Sequence, residues 1–87
     1  MRKRSSPDII ATILEAANGG IGKTKLLTKA NLTSTQLRKY MDFLLEKEFL
    51  TECEDRSSGH SVYKTTGLGL KYLALYNSIK SVAYINA

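Results

Sequence analysis

Apolar residues recur at helical spacing in four stretches of the chain and alternate in two others. Ile9, Ile10, Ile13, Leu14 and Ala17 mark one face of a first helix over about 7–18, opened by Ser6-Pro7-Asp8 and stopped by Asn18-Gly19-Gly20. A hydroxyl cap, a proline in the first turn and an acid at the positive end of the dipole favour that start, and glycine favours that stop. Ile21, alone between glycines, can add a very short strand to a small sheet. A second helix over about 23–30 buries Leu26, Leu27 and Ala30.

Asn31-Leu32-Thr33 then forms a tight corner. Thr33 and Gln36, three residues apart, have the pattern of a capping box and begin a third helix. Leu37, Tyr40, Met41, Leu44 and Leu45 are its buried stripe, which leaves Thr35, Arg38, Lys39, Asp42 and Glu46 outward. That helix therefore has a basic front and an acidic rear. Phe49 to Cys53 and Ser61 to Thr65 alternate as strands around a polar turn, which predicts a β-hairpin with Cys53 as a small buried residue.

Thr66 caps a last helix over about 67–84. Leu68, Tyr72, Leu75, Ile79 and Val82 repeat along it at spacings of four and three, while Leu70, Leu73 and Tyr76 lie on other sides. A helix apolar on more than one face needs two surfaces to pack on, its own domain and a second copy of the chain. At 87 residues the core is modest, and dimerisation is a natural supplement. The expected class is α+β, mostly α: three core helices, a small hairpin wing and a C-terminal helix. A flexible basic arm (1–6), a nucleic-acid-binding domain (7–66) and a dimerisation helix (67–87) complete the expected organisation.

Charge sharpens this picture. The net charge is +5, and it is uneven: residues 1–39 hold eight Lys and Arg against Asp8 and Glu15, a balance of +6, whereas residues 40–87 balance at −1. A basic surface of this kind favours a polyanion, and double-stranded DNA is the expected partner. Helix-turn-helix logic places the third helix in the major groove, where Ser34, Thr35, Gln36, Arg38 and Lys39 are donor types suited to phosphates and base edges. Lys23, Lys25 and Lys29 would hold the flanking backbone, and Arg2, Lys3 and Arg4 would form a mobile arm. Arg56 and His60 on the wing are further candidates, opposed by Glu52, Glu54 and Asp55.

Enzymatic chemistry finds little support. Ala17 to Thr24 ends in Gly-Lys-Thr and loosely resembles a phosphate loop, but a helix precedes it instead of a buried strand, and Ala17 replaces its first glycine. His60 is the only histidine and Cys53 the only cysteine, too few for a metal site or a disulfide framework. No cofactor or metal is expected. The single cysteine and the absence of a long apolar run after Met1-Arg2-Lys3-Arg4 fit a cytoplasmic, nucleoid-associated protein. A membrane span is not expected, since Lys71, Asn77, Ser78, Lys80 and Ser81 interrupt the last helix.

Several local motifs resemble one archaeal branch of the winged-helix regulators, a group that includes chromatin-associated dimers of about this size. They are Ser6-Pro7-Asp8-Ile9-Ile10-Ala11 with Ile13-Leu14 and Ala16-Ala17, Lys23-Thr24 with Leu26, and Ala30-Asn31-Leu32-Thr33. Gln36-Leu37 with Tyr40, Leu44-Leu45-Glu46-Lys47, and Tyr63 with Thr65-Thr66, Gly69 and Tyr72-Leu73 continue the likeness over nearly the whole chain. The resemblance implies duplex DNA binding as a homodimer joined through the C-terminal helix, in transcriptional control or chromosome organisation. Gly67 and Leu68 depart from it, standing where such proteins carry charged helix formers, and the final helix is shorter and less charged. A winged-helix protein–protein adaptor is the alternative, but it has no need of the basic front of the third helix.

Overall fold

A computed structural model describes residues 4–85, with side chains described through Ser81. Its elements run α1 (Ser6–Ala16), β1 (Ile21–Gly22), α2 (Lys23–Ala30), α3 (Ser34–Glu46), β2 (Leu50–Glu54), β3 (Ser61–Thr65) and α4 (Gly67–Ile85). This is a winged helix-turn-helix arrangement, with α1 to α3 around one core and the antiparallel hairpin of β2 and β3 as the wing.

Ser5 caps α1, where Ser6 was expected to. Its hydroxyl accepts from the Asp8 amide at 3.3 Å while the Asp8 carboxylate accepts from the Ser5 amide at 3.4 Å. The Ser5 to Asp8 spacing is itself a capping box, and it outcompetes Ser6 because Asp8 can return the bond. The third helix begins as its sequence predicts: Thr33 Oγ1 accepts from the Gln36 amide at 3.2 Å and Gln36 Oε1 from the Thr33 amide at 3.0 Å.

Two helices end in Schellman motifs built on non-glycine residues. Asn31 closes α2 at φ 54°, with the Leu32 amide donating to the Leu27 carbonyl and the Asn31 amide to the Thr28 carbonyl, both at 3.2 Å. Glu48 follows α3 at φ 61°, with the Phe49 amide bonded to Leu44 at 2.9 Å and the Glu48 amide to Leu45 at 3.1 Å. Each left-handed residue turns the chain sharply within a few residues. Their hydrophobic followers, Leu32 and Phe49, are thereby delivered back onto the core.

Ile13, Leu14, Leu26, Leu37 and Leu44 are the largest fully buried side chains, one or two from each of the three core helices. Leu50 and Leu73 bring the wing and α4 into the same cluster. The sheet order is β1-β3-β2, all antiparallel, and the very short strand expected at Ile21 spans two residues, pairing with the wing through Ile21 to Tyr63 and Gly22 to Val62. Within the hairpin Leu50 faces Thr65 and Glu52 faces Tyr63.

Two expectations need correction. Cys53 is exposed, not buried. Past Leu50, every residue of β2 is exposed, because it is an outer strand of the sheet and burial is carried by the paired strand β3, where Val62 and Tyr63 are half-buried. Residues 4–6 also differ from a free arm: Ser5 caps α1, Ser6 is its first residue, the Ser6 and Tyr40 hydroxyls lie 3.2 Å apart, and Arg4 is bonded to the end of α2. Arg2 and Lys3 lie outside the described residues, as does the Val82 side chain.

Candidate nucleic-acid interface

Helix α3 buries Leu37, Met41 and Leu44, and this stripe fixes the phase of every other side chain on it. Ser34, Thr35, Gln36, Arg38 and Lys39 consequently all stand exposed on its first two turns. Gln36 is partly committed, since its Oε1 completes the capping box and leaves its Nε2 as the available donor. Asp42 and Glu46 are exposed further along, so the helix reverses sign from its head to its tail.

Helix α2 adds Lys23, Lys25 and Lys29, all exposed, and carries no acid in its first turn. No acidic residue occurs between Glu15 and Asp42. Lys23, Thr24 and Lys25 line one side of a groove of about 650 Å³ whose other residues include Asp55, Ser58, His60 and Ser61 of the wing. Sequence spacing does not reveal that His60 and the head of α2 share a groove, because the pairing of β1 with β3 brings them together. Arg56 is exposed on the wing loop and does not line this groove.

The wing is ordered by its own acid. Asp55 accepts from the Ser57 amide at 3.2 Å and from the Ser57 and Ser58 hydroxyls at 3.0 Å each, and these bonds hold its carboxyl below the usual range. Glu52 and Glu54 are exposed beside it, so the ribbon keeps an acidic edge.

Arg4 occupies a place the sequence does not announce. Its Nη1 donates to the Ala30 carbonyl at 2.7 Å and its Nη2 to the Asn31 carbonyl at 2.8 Å, across an interval of 26 and 27 residues.

The last helix shows two faces. Leu73 is buried, and the Tyr72 ring meets Phe49 at a tilt of 42° with centroids 5.6 Å apart. Phe43 meets Phe49 edge-on at 6.4 Å, and Tyr76 lies parallel to Tyr72 at 6.5 Å. Leu68, Leu75 and Ile79 remain 49%, 66% and 70% exposed, which leaves three residues of the predicted seam uncovered within this chain. A groove of about 520 Å³ runs beside them, lined by Pro7, Asp8, Tyr72, Leu75, Tyr76, Ile79 and Lys80. At its edge the Tyr76 hydroxyl donates to Asp8, and this bond, followed by that from Ser5, lowers the Asp8 carboxyl from its ordinary value.

Among the described residues, no His, Cys, Asp and Glu side chains converge in a group able to hold a metal ion. No helix among them is long and apolar enough to cross a membrane.

A family model described as winged helix-turn-helix matches residues 3–84. Among solved structures, the chain is similar to the crystal structure of Sso10a-2, a DNA-binding protein from Sulfolobus solfataricus, with a TM-score of 0.81 at 18% identity. The match covers 93% of this chain and 83% of that one, and at such identity it is a likeness of fold. No curated protein matches the chain.

Proposed function

The chain belongs to the winged helix-turn-helix family, and from that premise we propose that it binds double-stranded DNA as a homodimer, with α3 in the major groove. The observation that carries this reading is the surface from Lys23 to Lys39, five exposed cations with no acid among them, placed on the two helices of the helix-turn-helix.

Arg38 and Lys39 extend from the second turn of α3 toward base edges and phosphates, with Ser34, Thr35 and Gln36 as neutral donors at its head. Lys23, Lys25 and Lys29 meet the flanking phosphates, and Arg2 and Lys3 add contacts from the start of the chain. On the wing, Arg56 and His60 touch the neighbouring backbone while its acidic edge turns away. The exposed Leu68, Leu75 and Ile79, with Tyr72 and Val82, form the seam between two copies; three apolar side chains left this open on one helix face are otherwise costly in water. A sequence-selective protein of this kind acts as a transcriptional regulator, and an unselective one as an architectural protein of the nucleoid.

A salt titration of duplex affinity tests the proposal. Roughly six to eight phosphates neutralised per half-site give a slope of log K against log salt of about −5 to −7 for each half-site engaged, twice that when the homodimer engages both. A flat response overturns it. Selection from a random duplex pool then separates the two roles: an enriched palindrome identifies a regulator, and no enrichment an architectural protein.

A further inference from the structure

Arg4 precedes the Ser5 cap of α1 by one residue, yet its side chain is bonded to the junction of the other two core helices. That junction is only Asn31, Leu32 and Thr33, since α2 ends at Ala30 and α3 starts at Ser34. Leu32 pins it from inside, being 8% exposed, and Thr33 is already committed to capping α3. The guanidinium takes the two carbonyls at the outer side of the same corner, those of Ala30 and Asn31.

Guanidinium geometry explains the fit. Its planar fork presents two parallel donors to successive acceptors, which a lysine cannot do with fixed spacing. Its charge also lies at the negative end of the α2 dipole, among carbonyls that the helix ladder leaves over. Those carbonyls are the hinge of the helix-turn-helix. Arg38 stands four residues beyond Ser34, about 6 Å along the axis, so a tilt of about 10° at the corner moves its backbone by about 1 Å. Hydrogen bonds to base edges tolerate little of that.

Resting on the DNA-binding reading, we infer that Arg4 is a positioning residue for duplex recognition: its fork locks the corner between α2 and α3 and so aims the head of α3. Its charge is engaged by α2, and it makes no phosphate contact. This separates it from Lys25 and Arg38, which act on the polyanion directly.

The two roles differ in their salt dependence. Duplex affinity of Arg4→Gln is measured over a salt series at a temperature where circular dichroism shows the variant folded, with Lys25→Gln as the phosphate-contact control. The expected result for Arg4→Gln is an affinity lower by about two- to thirtyfold with the wild-type slope retained, because no counterion-releasing contact is lost. For Lys25→Gln the slope falls by about one. Arg4→Lys restores the cation without the fork and recovers only part of the affinity, again with the wild-type slope. Should Arg4→Gln melt below the assay temperature, Arg4→Lys answers the same question. A slope reduced by about one in either Arg4 variant makes Arg4 a phosphate contact and overturns the inference, as does an unchanged affinity. Failure of the DNA reading looks different: the wild-type chain then binds no duplex, or binds it with a flat salt response.

Discussion

The Thr65 hydroxyl donates to the Leu14 carbonyl at 2.6 Å across 51 residues of sequence. Its amide donates to the Ala17 carbonyl at 3.1 Å, so one residue at the end of the wing completes the last turn of α1. Thr65 is 6% exposed. Thr65→Val keeps the shape but leaves the Leu14 carbonyl without this donor. A loss of about 1–3 kcal/mol is expected, read as a lower urea midpoint with an unchanged m-value.

Gly69 is needed for its missing side chain. It lies on the first turn of α4 where that helix crosses the chain leaving α3, and a Cβ there would overlap the Phe49 carbonyl oxygen and come within 2.7 Å of Thr65 Cγ2. Helix propensity favours alanine by about 1 kcal/mol, but backbone overlap wins because the Phe49 carbonyl is itself held by the Thr66 amide at 3.0 Å. Gly69→Ala is expected to lower the melting temperature.

Arg38 and Lys39 lie outside the buried stripe of α3. Alanine at either position should weaken duplex binding, reduce the salt slope by about one where a phosphate contact is lost, and leave the melting temperature within a few degrees of wild type. Unfolding of either variant would show that the side chain supports the core.

How far these sites were legible depends on the range of the interaction behind each. The Thr33 and Gln36 box is a local pattern that appears in the sequence as it does in the fold, and of the expected stripe Leu37, Met41 and Leu44 are buried while Tyr40 and Leu45 are half-buried at its edges. Arg4 on Ala30 and Asn31 is not legible, because nothing in a sequence connects a side chain to carbonyls 26 residues away. Cys53 fails for another reason. Alternation assigns a residue to one face of a ribbon, but only the tertiary arrangement decides whether anything covers that face.

Acid should weaken the contact between α1 and α4. The Tyr76 hydroxyl is the largest cause of the lowered Asp8 carboxyl, with Ser5 second. A carboxyl depressed in the folded state contributes stability above its unfolded value, ordinarily 3.8, and that contribution fades as pH falls through the lower folded value. Tyr76→Phe removes the main cause. Thermal melts at pH 6 and pH 2 should therefore differ by less in Tyr76→Phe than in the wild type, and an equal difference would assign the acid sensitivity to another group.

The open face of α4 gives the test of assembly. Leu75 is 66% exposed, so Leu75→Asp should leave the isolated fold intact while separating a dimer into monomers in sedimentation velocity. A wild-type chain that sediments as a monomer at micromolar concentration would remove the seam from the proposal.

Phe43, Phe49 and Tyr72 form an unbroken run of ring contacts from the rear of α3 to α4. Side chains packed this way resist bending, so α3 and α4 turn as one body. Two copies joined through α4, as proposed, would behave as a rigid caliper. Such a dimer would accept duplex sites at a single separation, set by the join between the copies and not by any flexible tether, and inserting a few base pairs between half-sites should then abolish paired binding.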